Sequence, residues 1–264
     1  MPFDFRPYEP EFIADPYPTF DALRAAEPIS RQPEFDLTLF SRHADVSVIL
    51  RDRRFGRDAL HMMNEEDLKH PSPILPQYPM WTRFNRTLGF IDMEPPDHRR
   101  LRGLVARAFT PKRVEAIRPR ARQLADELAR TARERGQIEA IADFAVPIPL
   151  TIISEMLGIP EPDRAQLIDW SHAIVGMYEL STQDDMGPAA EQATIEFVAY
   201  VRSVVEQRRS NPGDDLMTAL IQVEEEGERL TEDELIATCI LLLNAGHEAT
   251  VHAIGNGLQA LAAH

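Results

Sequence analysis

TEDELIATCILLLNAGHEATVHAIGNGLQALAAH, Thr231 to His264, is the stretch whose reading decides the fold. Thr231 and Glu234 stand at capping-box spacing, where a hydroxyl and a carboxylate each satisfy an orphan amide of a first helical turn. From Leu235 to Leu243 only Thr238 interrupts an apolar run that covers every face, so this helix must be wrapped by other protein. At 1.5 Å per residue a helix of this length spans about 50 Å, enough to cross a whole domain. The sequence thus predicts a mainly α fold built round a central helix over 231–264.

In the middle of that helix the apolar run gives way to Ala245-Gly246-His247-Glu248-Ala249-Thr250. Ala245, Gly246, Ala249, Thr250, Ala253 and Gly257 then form one stripe with almost no side-chain bulk. Gly246 costs a helix interior roughly 1 kcal/mol relative to Ala. Something therefore lies close against the stripe, either a large group or a second helix crossing. Glu248 points toward function, because a carboxylate at the centre of a buried helix is costly without a partner or a task. His247-Glu248 followed by His252 imitates a zinc-protease helix, but that chemistry needs two His four apart. A spacing of five turns the second ring about 140° away.

Working outward, the chain of 264 residues is 44% hydrophobic, enough for a sizeable core in one large domain or two small ones, and its motifs read as one domain, 1–264. A net charge of -15 argues against a nucleic-acid partner. The single cysteine, Cys239, permits no intrachain disulfide and suits a reducing cytosol, where it reads as a small buried residue. MPFDFRPYEPEF carries no secretion signal, and the apolar stretch of the central helix falls short of the about 20 residues that span a bilayer. The expected setting is cytoplasmic, with no membrane.

Residues 1–18 read as an irregular arm, followed by a helix from Tyr17 to Glu27 and a small hairpin from Ile29–Arg31 and Leu37–Phe40. A further helix runs from His43 to Arg51. The proline-rich stretch 59–94 lacks a sustained period, yet Trp81, Phe84, Phe90 and Ile91 are too apolar for disorder. It reads as a loop over a ligand cavity, with Leu241 and Asn244 of the central helix as further pocket residues. Helices follow at 97–109 and 111–136. An apolar segment, 138–157, breaks near Pro147 and Pro149, and two longer helices occupy 163–178 and 188–210, with a short one before residue 226.

His98 to Arg122 holds eight Arg and one Lys against one Glu, a cationic island of +8. His98 and Arg102, four apart, share one helix face and can hold a pair of carboxylates.

Met93-Glu94-Pro95-Pro96-Asp97-His98-Arg99-Arg100-Leu101-Arg102, with Ala108-Phe109-Thr110-Pro111, closely resembles the entry to helix C of bacterial cytochrome P-450 proteins. Ala245-Gly246-His247-Glu248 with a hydroxyl residue beyond resembles their distal helix I. The segments Asp15-Pro16-Tyr17 to Glu27, Leu50-Arg51-Asp52 to Asp58 and Asp214-Asp215-Leu216 follow the family in order, and 163–210 resembles the helices that lid the substrate pocket.

The resemblance implies a haem-dependent monooxygenase, with haem b, O2 and a small apolar substrate. His98 and Arg102 would bind the propionates, and Ala245, Gly246 and Ala249 would make room for the haem. Glu248 and Thr250 would deliver protons to dioxygen, and Arg99, Arg100, Arg107, Lys112 and Arg113 would dock a ferredoxin. Two departures stand out. Ala249 occupies the place of the usual alcohol, with Thr250 about 100° further round the helix. The chain also stops in a helical pattern before the family's haem-ligating cysteine, so it reads as truncated, and Cys239 does not match that ligand. A competing expectation is a non-catalytic helical protein or binding module without haem.

Overall fold

The computed structural model describes residues 3–35, 37–57, 77–178, 183–223 and 227–263. Its described residues are mostly helical, with one two-stranded antiparallel sheet. By its internal contacts the chain divides into two compact units, Met1–Gly56 and Arg57–His264.

The first unit has its own apolar seam. The arm contains helix α1 (Pro10–Ala14), and α2 is Tyr17–Ala26. Phe12 meets both Phe5 and Phe20 edge to face at 5.5 Å, which is the preferred aromatic geometry. Leu23 of α2 is buried. Strands β1 (Ile29–Gln32) and β2 (Leu37–Phe40) pair in the register Ile29↔Phe40 and Gln32↔Leu37, and α3 is His43–Ile49.

In the second unit residues 79–87 of the expected loop are helical, and 88–94 are turn and irregular chain. Helix α4 (Pro79–Trp81) continues as a π-helical turn, Thr82–Thr87, while residues 58–76 lie outside the described residues. Trp81 and Phe84, expected on a cavity wall, are core residues at 3% and 2% exposure. The helical backbone turns both rings inward, and Trp81 Nε1 donates to the carbonyl of Ile174 at 3.2 Å.

Helix α5 (Asp97–Ala108) buries Leu101, Leu104, Val105 and Ala108, one face at steps of three and four. Helix α6 (Pro111–Arg135) starts at Thr110, whose Oγ1 accepts from Arg113 N, and stops at left-handed Gly136. A π-helical turn, Ala140–Ala145, leads into α7 (Pro147–Leu157), so the two prolines mark a helix start. By length and composition alone Ala140–Leu157 could cross a membrane, a candidate overlooked beside the central helix. Here it packs on that helix.

Helices α8 (Arg164–Gly176) and α9 (Gln183–Ser210) lie along one another, with Trp170 stacked on Phe197 at 5.2 Å. Helix α9 begins ahead of Pro188, which stands inside it in the second turn. The short α10 is Leu216–Gln222.

Helix α11 (Glu232–Ala263) is the central helix, packed by α7, α8, α9, α10 and the turn at Ala140–Ala145. The capping box is formed: Thr231 N donates to Glu234 Oε2 at 2.8 Å and Glu234 N to Thr231 Oγ1 at 3.3 Å. Leu235, Ile236, Ala237, Thr238, Cys239, Ile240 and Leu243 are buried, as an all-round apolar run requires.

Candidate active site

Midway along α11 the wrapping opens on one side. Ala245, Ala249 and Thr250 are exposed, whereas His247 and Val251 are buried. The two readings of the small stripe divide between its members. A Cβ on Gly246 would stand 3.1 Å from Ile153 of α7, so this glycine permits a close helix crossing. The alanines form the open, bulk-free surface.

Thr250 turns back on its own helix, its Oγ1 donating to the carbonyl of Gly246 at 3.1 Å. Leu241 is half-buried, and Asn244 is buried with Oδ1 lacking a partner among the described residues. Phe90 is half-buried and Ile91 is exposed.

Glu248 faces α8. Its side chain is 19% exposed, and its Oε1 lies 3.4 Å from His172 Nε2. Ser171 Oγ donates to the same oxygen at 3.5 Å, and His247 Nδ1 is 3.9 Å from it. His247 is fully buried, and neither ring nitrogen has a hydrogen-bond partner among the described residues. Burial holds its pKa below the ordinary value, against the opposing pull of the Glu248 carboxylate. The rings of His172 and His247 are 5.8 Å apart. Sequence reasoning found Glu248 but missed His172 and Ser171. Nothing in the local pattern of α8 announces a partner on α11.

On α5, His98 is half-buried and Arg102 exposed, and the side chain of neither makes an ion pair or hydrogen bond with a described residue. Arg100, grouped with the docking cations, instead turns inward and bonds Glu234, because a carboxylate 9% exposed demands a cation. Several other cations of the island are engaged within the fold. Arg113 lies 3.7 Å from Asp214, Arg118 2.7 Å from Glu115 and Arg120 2.9 Å from Glu155. Arg99, Arg107 and Lys112 remain on the surface. Cys239 is buried and its thiol is pushed up to about 12 by desolvation, which makes it inert.

The cytochrome P450 family model matches residues 61–264. The monooxygenase PikC of Streptomyces venezuelae is 38% identical over 261 residues, covering 96% of this chain and 58% of that protein. The vitamin D(3) 25-hydroxylase of Pseudonocardia autotrophica is 36% identical, covering 96% and 59%. Among solved structures, P450BioI bound to an acyl carrier protein superposes with a TM-score of 0.83 at 29% identity, covering 96% of this chain and 63% of that one. PksS of Bacillus subtilis 168 gives 0.81 at 32%, covering 99% and 63%. The chain thus spans less than two thirds of the length of these relatives. It belongs to the cytochrome P450 family, whose cofactor is haem b.

Proposed function

We propose that the complete protein is a cytoplasmic haem-dependent monooxygenase that hydroxylates a small apolar substrate with O2 and electrons from a ferredoxin-type partner. The observation that carries this reading is Glu248, a carboxylate 19% exposed beside the open Ala245–Ala249–Thr250 surface of a helix that is buried over its first half. Two relatives named as a monooxygenase and a hydroxylase support the same reaction class.

The residues present fit a flat, dianionic haem. His98 and Arg102 are two side chains without an internal anion, suited to charge-assisted bonds with propionates. Ala245 and Ala249 leave the α11 surface open to a ring system, with Gly246 holding α7 close behind it. When bound, haem supplies the iron at which dioxygen is activated.

The chain's own groups manage position and protons. Glu248 Oε1 can exchange a proton with His172 Nε2, whose side chain is 57% exposed, giving a short path from solvent to the helix surface. Ser171 Oγ holds the same carboxylate oxygen. Thr250, bonded to a carbonyl, has its hydroxyl proton engaged. Half-buried Leu241 and Phe90 offer apolar surface to a substrate, and Asn244 Oδ1 offers one acceptor.

In the complete protein Glu248→Gln should slow product formation by about 100-fold, the lower range for loss of a general acid, and Thr250→Val by less than about tenfold. Equal effects of the two substitutions would remove Glu248 from its role.

A further inference from the structure

The triad His172, His247 and Glu248 combines features that proton delivery alone does not call for. His247 is fully buried and both its ring nitrogens lack partners among the described residues, an arrangement that leaves desolvated lone-pair and N–H capacity unused. Its Nδ1 side faces the carboxylate at 3.9 Å, and a second imidazole arrives from another helix, with Nε2 3.4 Å from the same oxygen. One ligand atom from each of the three residues lies within 4.8 Å of the others.

We propose that these three side chains form a divalent transition-metal site, for zinc(II), that staples α8 to α11. Two imidazoles and a carboxylate are the donor set zinc accepts in three-ligand sites, with a water in the fourth position. Zinc–ligand bonds of about 2.0–2.2 Å in tetrahedral geometry put ligand atoms roughly 3.3 Å apart. The His172–Glu248 separation of 3.4 Å already matches, and the 3.9 Å to His247 needs a small rotation. The His172 ring must close toward His247, and at 57% exposure it has the freedom to do so. That exposure also supplies the entry path and the water. The site differs from the zinc-protease motif considered for His247 and His252: the second imidazole comes from α8, and His252 is exposed.

The zinc site shares Glu248 and His172 with the proposed proton path, which a bound zinc would close, so its test reads metal binding and not turnover. Zinc chloride titrated calorimetrically into the complete, haem-loaded protein should reveal one site that His172→Ala weakens at least tenfold, because loss even of outer-shell support costs about 10–100-fold in metal affinity. Glu248→Gln should weaken the same site. His172 lies at the surface, so its variant keeps the fold, which circular dichroism verifies, and the test survives if a His247 variant does not fold. Zinc binding with unchanged stoichiometry and affinity in His172→Ala, or no zinc bound by the parent protein, would overturn the proposal.

Discussion

Gly158 shows how much one backbone position can support. It ends α7 with φ of 71°, a left-handed value that glycine adopts without a Cβ penalty. Its carbonyl accepts from Arg208 Nη2 at 2.6 Å, and Arg208 Nε donates to Asp215 Oδ2 at 2.5 Å. Asp215 in turn caps α10 by accepting from Thr218 N at 2.7 Å. A Cβ at position 158 would collide with the Asp215 carboxylate, whose side chain is 7% exposed and has nowhere to go. Gly158→Ala should therefore lower the unfolding free energy by about 1–3 kcal/mol, the range for a strained backbone position, as read from urea melts. An unchanged midpoint would show that the knot can relax. The glycine was visible in the sequence as Gly158-Ile159-Pro160, a helix stop. Its part in holding Arg208 and Asp215 was not, because a residue 50 positions away completes it.

Among the elements, α11 was the most legible. Its capping box, its wrapped first half and its open middle follow from spacing and hydropathy alone, and α5, α6 and the hairpin needed only small changes of boundary. The segment 79–87 was not legible as helix, since prolines and scattered aromatics hide a short π-helical turn whose rings pack against distant α8 and α9. The sign of Arg100 was equally hidden: on its own helix it is one cation among many, and only the fold brings Glu234 to it. Burial raises the Glu234 pKa, but Arg100 and the two Thr231 bonds outweigh it and leave the carboxyl below its ordinary value. A depressed folded-state pKa contributes stability that is present above the unfolded value and is lost as pH falls through the folded one. The protein should thus lose urea resistance between about pH 5 and about pH 3, across the ordinary carboxylate range. Glu234→Gln should flatten that loss, and a variant with the parent's full acid dependence would assign the effect to other carboxylates such as Glu155, which Arg120 holds low.

At the scale of the molecule, an acidic chain of -15 contains one strongly cationic segment, 98–122, and the fold reduces that segment to fewer outward cations than the sequence suggested. With Arg99 and Lys112 exposed, reduction by an acidic ferredoxin should slow as salt rises past the point where the Debye length falls below about 8 Å. Arg99→Glu with Lys112→Glu should slow reduction at low salt and blunt the salt response; a rate indifferent to both would place the partner elsewhere. The site was legible to the extent that its residues sit on one helix, as Glu248 and Ala249 do. Whatever α8 contributes required the folded chain. The joint at Glu234 also has a mechanical side. Helix α11 is a rod of about 48 Å pinned at one end to α5, and Glu248 lies 14 residues, or about 21 Å, from the pin. A tilt of only 1° about that pin moves the carboxylate by about 0.4 Å, close to the roughly 0.5 Å tolerance of a working site. The ion pair at the first turn thus helps to fix the angle of the helix, and any change in that angle reaches Glu248 in proportion to its distance from the pin.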